Sequence, residues 1–173
     1  MEGEKNYAFI DSVNLYLGVR KLGWNLDYKE FRTYLRKKYG IEKSYLFIGF
    51  VSNNEYLYKK LQEAGFIIIF KPTIPDEKGE IKGNCDTDLV LWAMIDYNKY
   101  NKAIIISGDG DFYSLVRYLY DNNKLLRVIA PNRRESSFLL RREAKEKIIF
   151  IDDLKKQLEY RKKSEPRERP HFS

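Results

Sequence analysis

Histidine and cysteine are nearly absent from this chain of 173 residues. The only histidine is His171, near the C-terminus, and the only cysteine is Cys85. One histidine in a polar tail leaves Ser-His-Asp and Cys-His nucleophiles, histidine-rich zinc sites and two-histidine RNA cleavage without their parts. One cysteine excludes an internal disulfide and a multi-cysteine zinc site, and it fits the reducing cytoplasm. With no histidine nearby to activate it, Cys85 reads as a small packed residue rather than a nucleophile. No apolar run approaches the roughly 18 residues that span a bilayer, and the N-terminus MEGEKNYAFIDS has no apolar leader region. A cytoplasmic protein with no membrane partner is therefore expected. Any chemistry has to run on carboxylates.

What is present is a hydrophobic content of 43% and a formal charge of +7. That content and length suit one α/β core, assigned to residues 1–160, with a basic, disordered tail over 161–173. The positive charge favours an anionic partner, although Lys and Arg are interleaved with Glu throughout.

Apolar runs at YAFI, SYLFIGFV, FIIIF, AIIIS, LLRVIA and KIIFI predict six strands. The stretch NLYLGVRKLGW after the first run reads as polar. Asp27 to Glu30 and Ser52 to Glu55 have capping-box spacing before helical patterns, and Gly65 stands where a helix-ending glycine belongs. FIIIF is apolar enough to predict cover on both faces. A loop with two prolines and an Asp-Glu-Lys-Gly turn leads to the helical pattern CDTDLVLWAMIDYNKY. Helical spacing recurs after SGDGD and in ESSFLLRREA, and DDLKKQLEYRKK predicts a last, basic helix. Such alternation predicts a three-layer α/β/α sandwich around a mainly parallel sheet.

In parallel sheets, ligands bind beyond the carboxyl ends of the strands, where strand order reverses. Asp11 ends the first strand, Asp109 and Asp111 follow the fourth, and Asp86 and Asp88 open a helix reached from the third. These carboxylates are expected to converge on one edge. Clustered carboxylates repel one another and call for a compensating cation, and Mg²⁺ or Mn²⁺ prefers such oxygen ligands. Such an ion activates water and neutralises charge on a leaving oxygen without any histidine. Each residue also has a local role available: Asp86, Asp109 and Asp111 as helix caps, Asp88 as an acid beside the positive end of the helix dipole, Asp11 as a strand-end acceptor, and Asn14 as a turn cap.

FIDSVN (Phe9 to Asn14), KGNCDTDLVL (Lys82 to Leu91), SGDGDF (Ser107 to Phe112) and VIAP (Val128 to Pro131), followed by SSFLLRREA and FIDDL, occur in this order. Together they resemble the NYN domain, the LabA-like or DUF88 branch of the PIN-like nucleases, over about residues 6 to 154. The resemblance implies a PIN-like fold and a Mg²⁺- or Mn²⁺-dependent acidic centre that cleaves RNA. By position, Asp11, Asp86, Asp109 and Asp111 match the family's acidic ligands, Asn14 its asparagine, and Ser107 its Ser or Thr. Many relatives carry a further aspartate where Trp92 stands here, and Asp88, one helical turn earlier, is the expected replacement ligand.

Lys82, Arg133, Arg134, Arg141 and Arg142 are candidates to rim the site and contact an RNA backbone, beside Asn14 and Ser107. Tyr113 and Trp92 are near enough to the motifs to stack on bases, although core packing accounts for most aromatic residues. The leading function is a metal-dependent ribonuclease. A weakly catalytic RNA-binding or regulatory module, with homodimerisation left open, is the alternative favoured by Trp92. A haloacid-dehalogenase-type phosphatase would need DxD after the first strand, where this chain reads Asp11-Ser12-Val13.

Overall fold

A computed structural model describes residues 3–79, 81–82 and 85–162. His171 and the tail from 163 onward lie outside the described residues. In chain order the strands are β1 (Asn6–Asp11), β2 (Ile41–Gly49), β3 (Phe66–Lys71), β4 (Ile74–Pro75), β5 (Ile81–Lys82), β6 (Lys102–Ile106), β7 (Leu125–Ala130) and β8 (Ile148–Phe150). Six of them form one sheet in the order β3-β2-β1-β6-β7-β8, every neighbouring pair parallel. Strands β4 and β5 make a small antiparallel hairpin inside the proline-containing loop. The helices are α1 (Ser12–Lys21), α2 (Tyr28–Tyr39), α3 (Glu55–Ala64), α4 (Asp86–Ile95), α5 (Tyr113–Asp121), α6 (Phe138–Ala144) and α7 (Lys155–Leu158). No helix among the described residues is long and apolar enough to cross a membrane.

The period of two along each strand divides the core into two slabs. Phe9 and Ile105 point to one face with Leu89 of α4, Leu115 and Leu119 of α5 and Leu140 of α6. Ala8, Ile10, Ile104 and Ile106 point to the other, with Leu15 and Val19 of α1, Phe31 and Leu35 of α2, Leu61 of α3 and Leu158 of α7. Both faces of the central strands are thus covered, which gives the expected three layers. Each fully buried Leu, Ile or Phe contributes about 1.5–3 kcal/mol of transfer free energy, so the two slabs are the main source of stability.

Several local expectations are corrected. NLYLGVRKLGW is mostly helical: Asp11 caps α1 by accepting the Asn14 N–H, and Leu15 and Val19, one turn apart, are buried. Asp27 does cap α2, accepting the Glu30 N–H at 3.1 Å. The second capping box is not formed, because Ser52–Asn54 is a 3-10 turn and the α3 cap, Asn54, makes no side-chain bond to the helix. Strand β3 is the sheet edge, and Ile67 and Phe70 are each 39% exposed, so FIIIF is not covered on both faces. The last helix has four residues; the chain then bridges from Glu159 to Leu26.

One glycine fixes how closely α1 approaches the end of β7. A Cβ on Gly18 would lie 2.6 Å from Cβ of Pro131, a rigid and buried ring atom. Overpacking of this kind costs about 1–3 kcal/mol, against a helix-propensity gain of about 1 kcal/mol for Ala over Gly. Gly18→Ala is therefore expected to destabilise by a net of up to about 2 kcal/mol, read from urea unfolding midpoints. An unchanged midpoint would show that the two elements separate freely.

Candidate metal centre

Strand order reverses between β1 and β6, and their carboxyl ends face one cleft. Asp11 is the last residue of β1, and Ser107, Gly108 and Asp109 follow β6 directly. A third wall comes from α4, whose first residue is Asp86. One carboxylate oxygen from each of Asp11, Asp86 and Asp109 lies within 4.8 Å of the others. They line a cleft of about 330 Å³ together with Asn14, Lys21 and Glu135.

A chain of hydrogen bonds holds two of the three carboxylates. Ser107, fully buried, donates its hydroxyl to Asp11 Oδ2 at 3.1 Å and accepts the Asp109 N–H at 3.1 Å. Asp11 Oδ1 accepts the Asn14 N–H at 3.3 Å, and Asn14 Oδ1 accepts the Gly108 N–H at 2.8 Å. The first turn of α1 is thereby tied to the loop after β6. Asp109 Oδ1 accepts the Asp111 N–H at 2.9 Å, so Asp109 is the cap of this turn. Gly110 keeps the turn close to α6, because a Cβ there would collide with Ser137 Oγ.

Burial pushes the Asp11 carboxyl above its ordinary range. The hydrogen bonds from Asn14 and Ser107 oppose that rise, and the charge of Asp109 adds to it. Asp86 is the first residue of α4, at the positive end of the helix dipole. Three carboxylates this close, one of them desolvated, form a donor set suited to a hard divalent cation.

The structure sorts the remaining candidates. Asp111 is exposed and lines a neighbouring groove with Val90, Leu91, Met94 and Phe112. Asp88 is half-buried in the first turn of α4 but outside the three-carboxylate group. Its charge acts on Cys85, whose thiol burial pushes up to about 11; Lys71 opposes that rise, while Asp88, Asp11 and Asp86 add to it. Cys85 is thus a buried, protonated thiol at neutral pH. Trp92 packs on Tyr45 with ring centroids 5.6 Å apart.

Arg133 bonds Asp153 at 2.8 Å and lies over the Phe150 ring, and Arg142 bonds Glu143. Neither they nor Arg134 and Arg141 line the cleft. The Lys82 side chain lies outside the described residues. Lys21 and Glu135, which do line the cleft, were not among the sequence candidates. The signal for Lys21 was its place at the end of α1, legible only once NLYLGVRK is read as a helix.

The NYN-domain family profile matches residues 7–152, nearly all of the domain and every residue of the cluster. The chain belongs to the NYN family. A curated relative, the low amplitude and bright protein LabA of Synechococcus elongatus, is 22% identical over 168 residues, covering 91% of this chain and 89% of LabA. The crystal structure of a protein of unknown function, VPA0982 from Vibrio parahaemolyticus, superposes with a TM-score of 0.75 at 26% identity, covering 91% of this chain and 99% of that one. NYN domains belong to the PIN-like nuclease superfamily; they are generally nucleases, typically use divalent metals, and include RNA-binding members.

Proposed function

We propose that this NYN protein is a metal-dependent ribonuclease that hydrolyses RNA phosphodiester bonds at the Asp11–Asp86–Asp109 cluster. The observation that carries the reading is the meeting of three carboxylates, from three separate elements, at the switch point of a parallel sheet. The donor set is all oxygen, which fits Mg²⁺ or Mn²⁺. When bound, such an ion lowers the pKa of a coordinated water and neutralises charge building on the departing oxygen.

The chain's own residues do the positioning. Ser107 and Asn14 hold the Asp11 carboxylate and the β6 loop in one geometry, so that the ligand oxygens do not reorganise as charge moves. Asp86 brings the third charge on a helix terminus that tolerates it. Asp111 and Asp88 lie outside the cluster, where they can orient water or substrate from its rim.

The test is cleavage of single-stranded RNA, structured RNA and DNA by the full chain in Mg²⁺, Mn²⁺ or EDTA. RNA is expected to be cut with either ion and left intact in EDTA. Cutting in EDTA would overturn the metal centre, and RNA binding without cleavage under every condition would favour a regulatory binding module.

A further inference from the structure

We propose that Lys21 is the substrate-phosphate residue of this cleft and that Glu135 is a built-in competitor for it; the inference rests on the ribonuclease reading above. An RNA strand brings one negative charge per nucleotide, and the phosphates flanking the scissile one enter a cleft that already holds the three-carboxylate cluster. An ion held by those carboxylates answers for the scissile phosphate only. A neighbouring phosphate needs a cation of the protein's own.

Among the described residues lining the cleft, Lys21 is the only cation. It closes the last turn of α1, and its ammonium is 2.9 and 3.0 Å from the two carboxylate oxygens of Glu135, on the segment between β7 and α6. The pair therefore joins two walls of the cleft. The Glu135 carboxylate presents two oxygens to the ammonium much as a phosphodiester presents its two free oxygens.

Lys21 and Glu135 are 60% and 49% exposed in their side chains, so the pair is well solvated, contributes little to stability and exchanges readily. Without RNA, Glu135 satisfies the lysine. A backbone phosphate that arrives takes its place, and Glu135 swings into solvent. The arrangement discriminates between ligands: an oligonucleotide anchored at several phosphates displaces Glu135, whereas a free mononucleotide competes with it at a disadvantage.

The test measures binding of a short fluorescent single-stranded RNA in Ca²⁺, a hard ion that takes carboxylate sites. Glu135→Gln is expected to tighten binding by roughly two- to fivefold, and Lys21→Gln to weaken it by roughly three- to tenfold. The double variant should bind like Lys21→Gln alone, because Glu135 acts only through Lys21. Equal tightening by Glu135→Gln with and without Lys21 would assign its effect to general charge and overturn the proposal. A second measurement does not depend on RNA. In Glu135→Gln, the Lys21 side-chain NMR resonance should move as inorganic phosphate is titrated, and move less in the wild type. A silent Lys21 resonance would overturn the proposal even if RNA is cleaved, while a shifting one supports it even if RNA is not.

Discussion

Asp109→Asn is expected to reduce metal-dependent RNA cleavage by roughly two to three orders of magnitude while leaving the fold intact. On the proposed reading the two effects separate because Asp109 has two jobs on different features of one side chain. Its capping job needs only an acceptor oxygen for the Asp111 N–H, and the Asn side-chain carbonyl provides one in the same place. Its ligand job needs a negative charge within 4.8 Å of Asp11 and Asp86, and Asn removes it. Circular dichroism in EDTA should therefore match the wild type and the thermal midpoint should not fall below it, while turnover in Mn²⁺ collapses. Asp111→Asn is the matched control. Asp111 is exposed and outside the cluster, so its loss should cost less than about tenfold. Equal losses in the two variants would mean that the turn as a whole, rather than the Asp109 charge, carries the activity.

The difference between these two aspartates shows where sequence stops being informative. Gly-Asp-Gly-Asp after an apolar strand marks both as candidates, since each follows a glycine at a strand end. Only the turn geometry aims Asp109 inward and Asp111 at solvent, and that geometry depends on how closely Gly110 packs against Ser137. The strands themselves were legible, because buried parallel strands are continuous apolar runs. Which of them lies at the edge was not: β3 is as apolar as β6, and its exposure follows from strand order, which no local pattern encodes.

Helix α1 is illegible in the sequence for a related reason. Its buried face amounts to Ser12, Leu15, Gly18 and Val19, a stripe with a glycine where the backbone meets Pro131. With Val13, Tyr16 and Leu17 exposed on the opposite side, helical periodicity is blurred. Lys21 is hidden along with it, because its position in the cleft depends on the helix being there. The arginines favoured instead are at plausible sequence distances from the motifs. Arg133 and Arg142 are nonetheless tied to Asp153 and Glu143, partners supplied by chain segments that local reading treats separately.

Asp11→Asn is expected to move stability in opposite directions with and without the ion. In EDTA the wild type holds a desolvated carboxylate beside two others, and its pKa is raised in the folded state. A carboxyl whose folded pKa exceeds its unfolded value binds its proton more tightly when folded. Stability is then lost as pH rises from the ordinary carboxylate range through the raised value. Asn carries no charge to desolvate. It keeps an acceptor for the Asn14 N–H, and the Ser107 hydroxyl can turn to accept from its amide, having a second lone pair. Asp11→Asn should therefore melt higher than the wild type in EDTA at pH 7, by about 1 kcal/mol or roughly 2–4 °C. Adding Mn²⁺ reverses the order. At a hundred times its dissociation constant an ion stabilises the wild type by about 2.7 kcal/mol, roughly 5–10 °C for a domain of this size. The variant, with one of three ligand charges gone, should respond little at the same concentration. A variant that melts lower than the wild type in EDTA would show that the hydrogen bonds to Asp11 outweigh its burial and the repulsion from Asp109, and that the site is strain-free before any ion arrives.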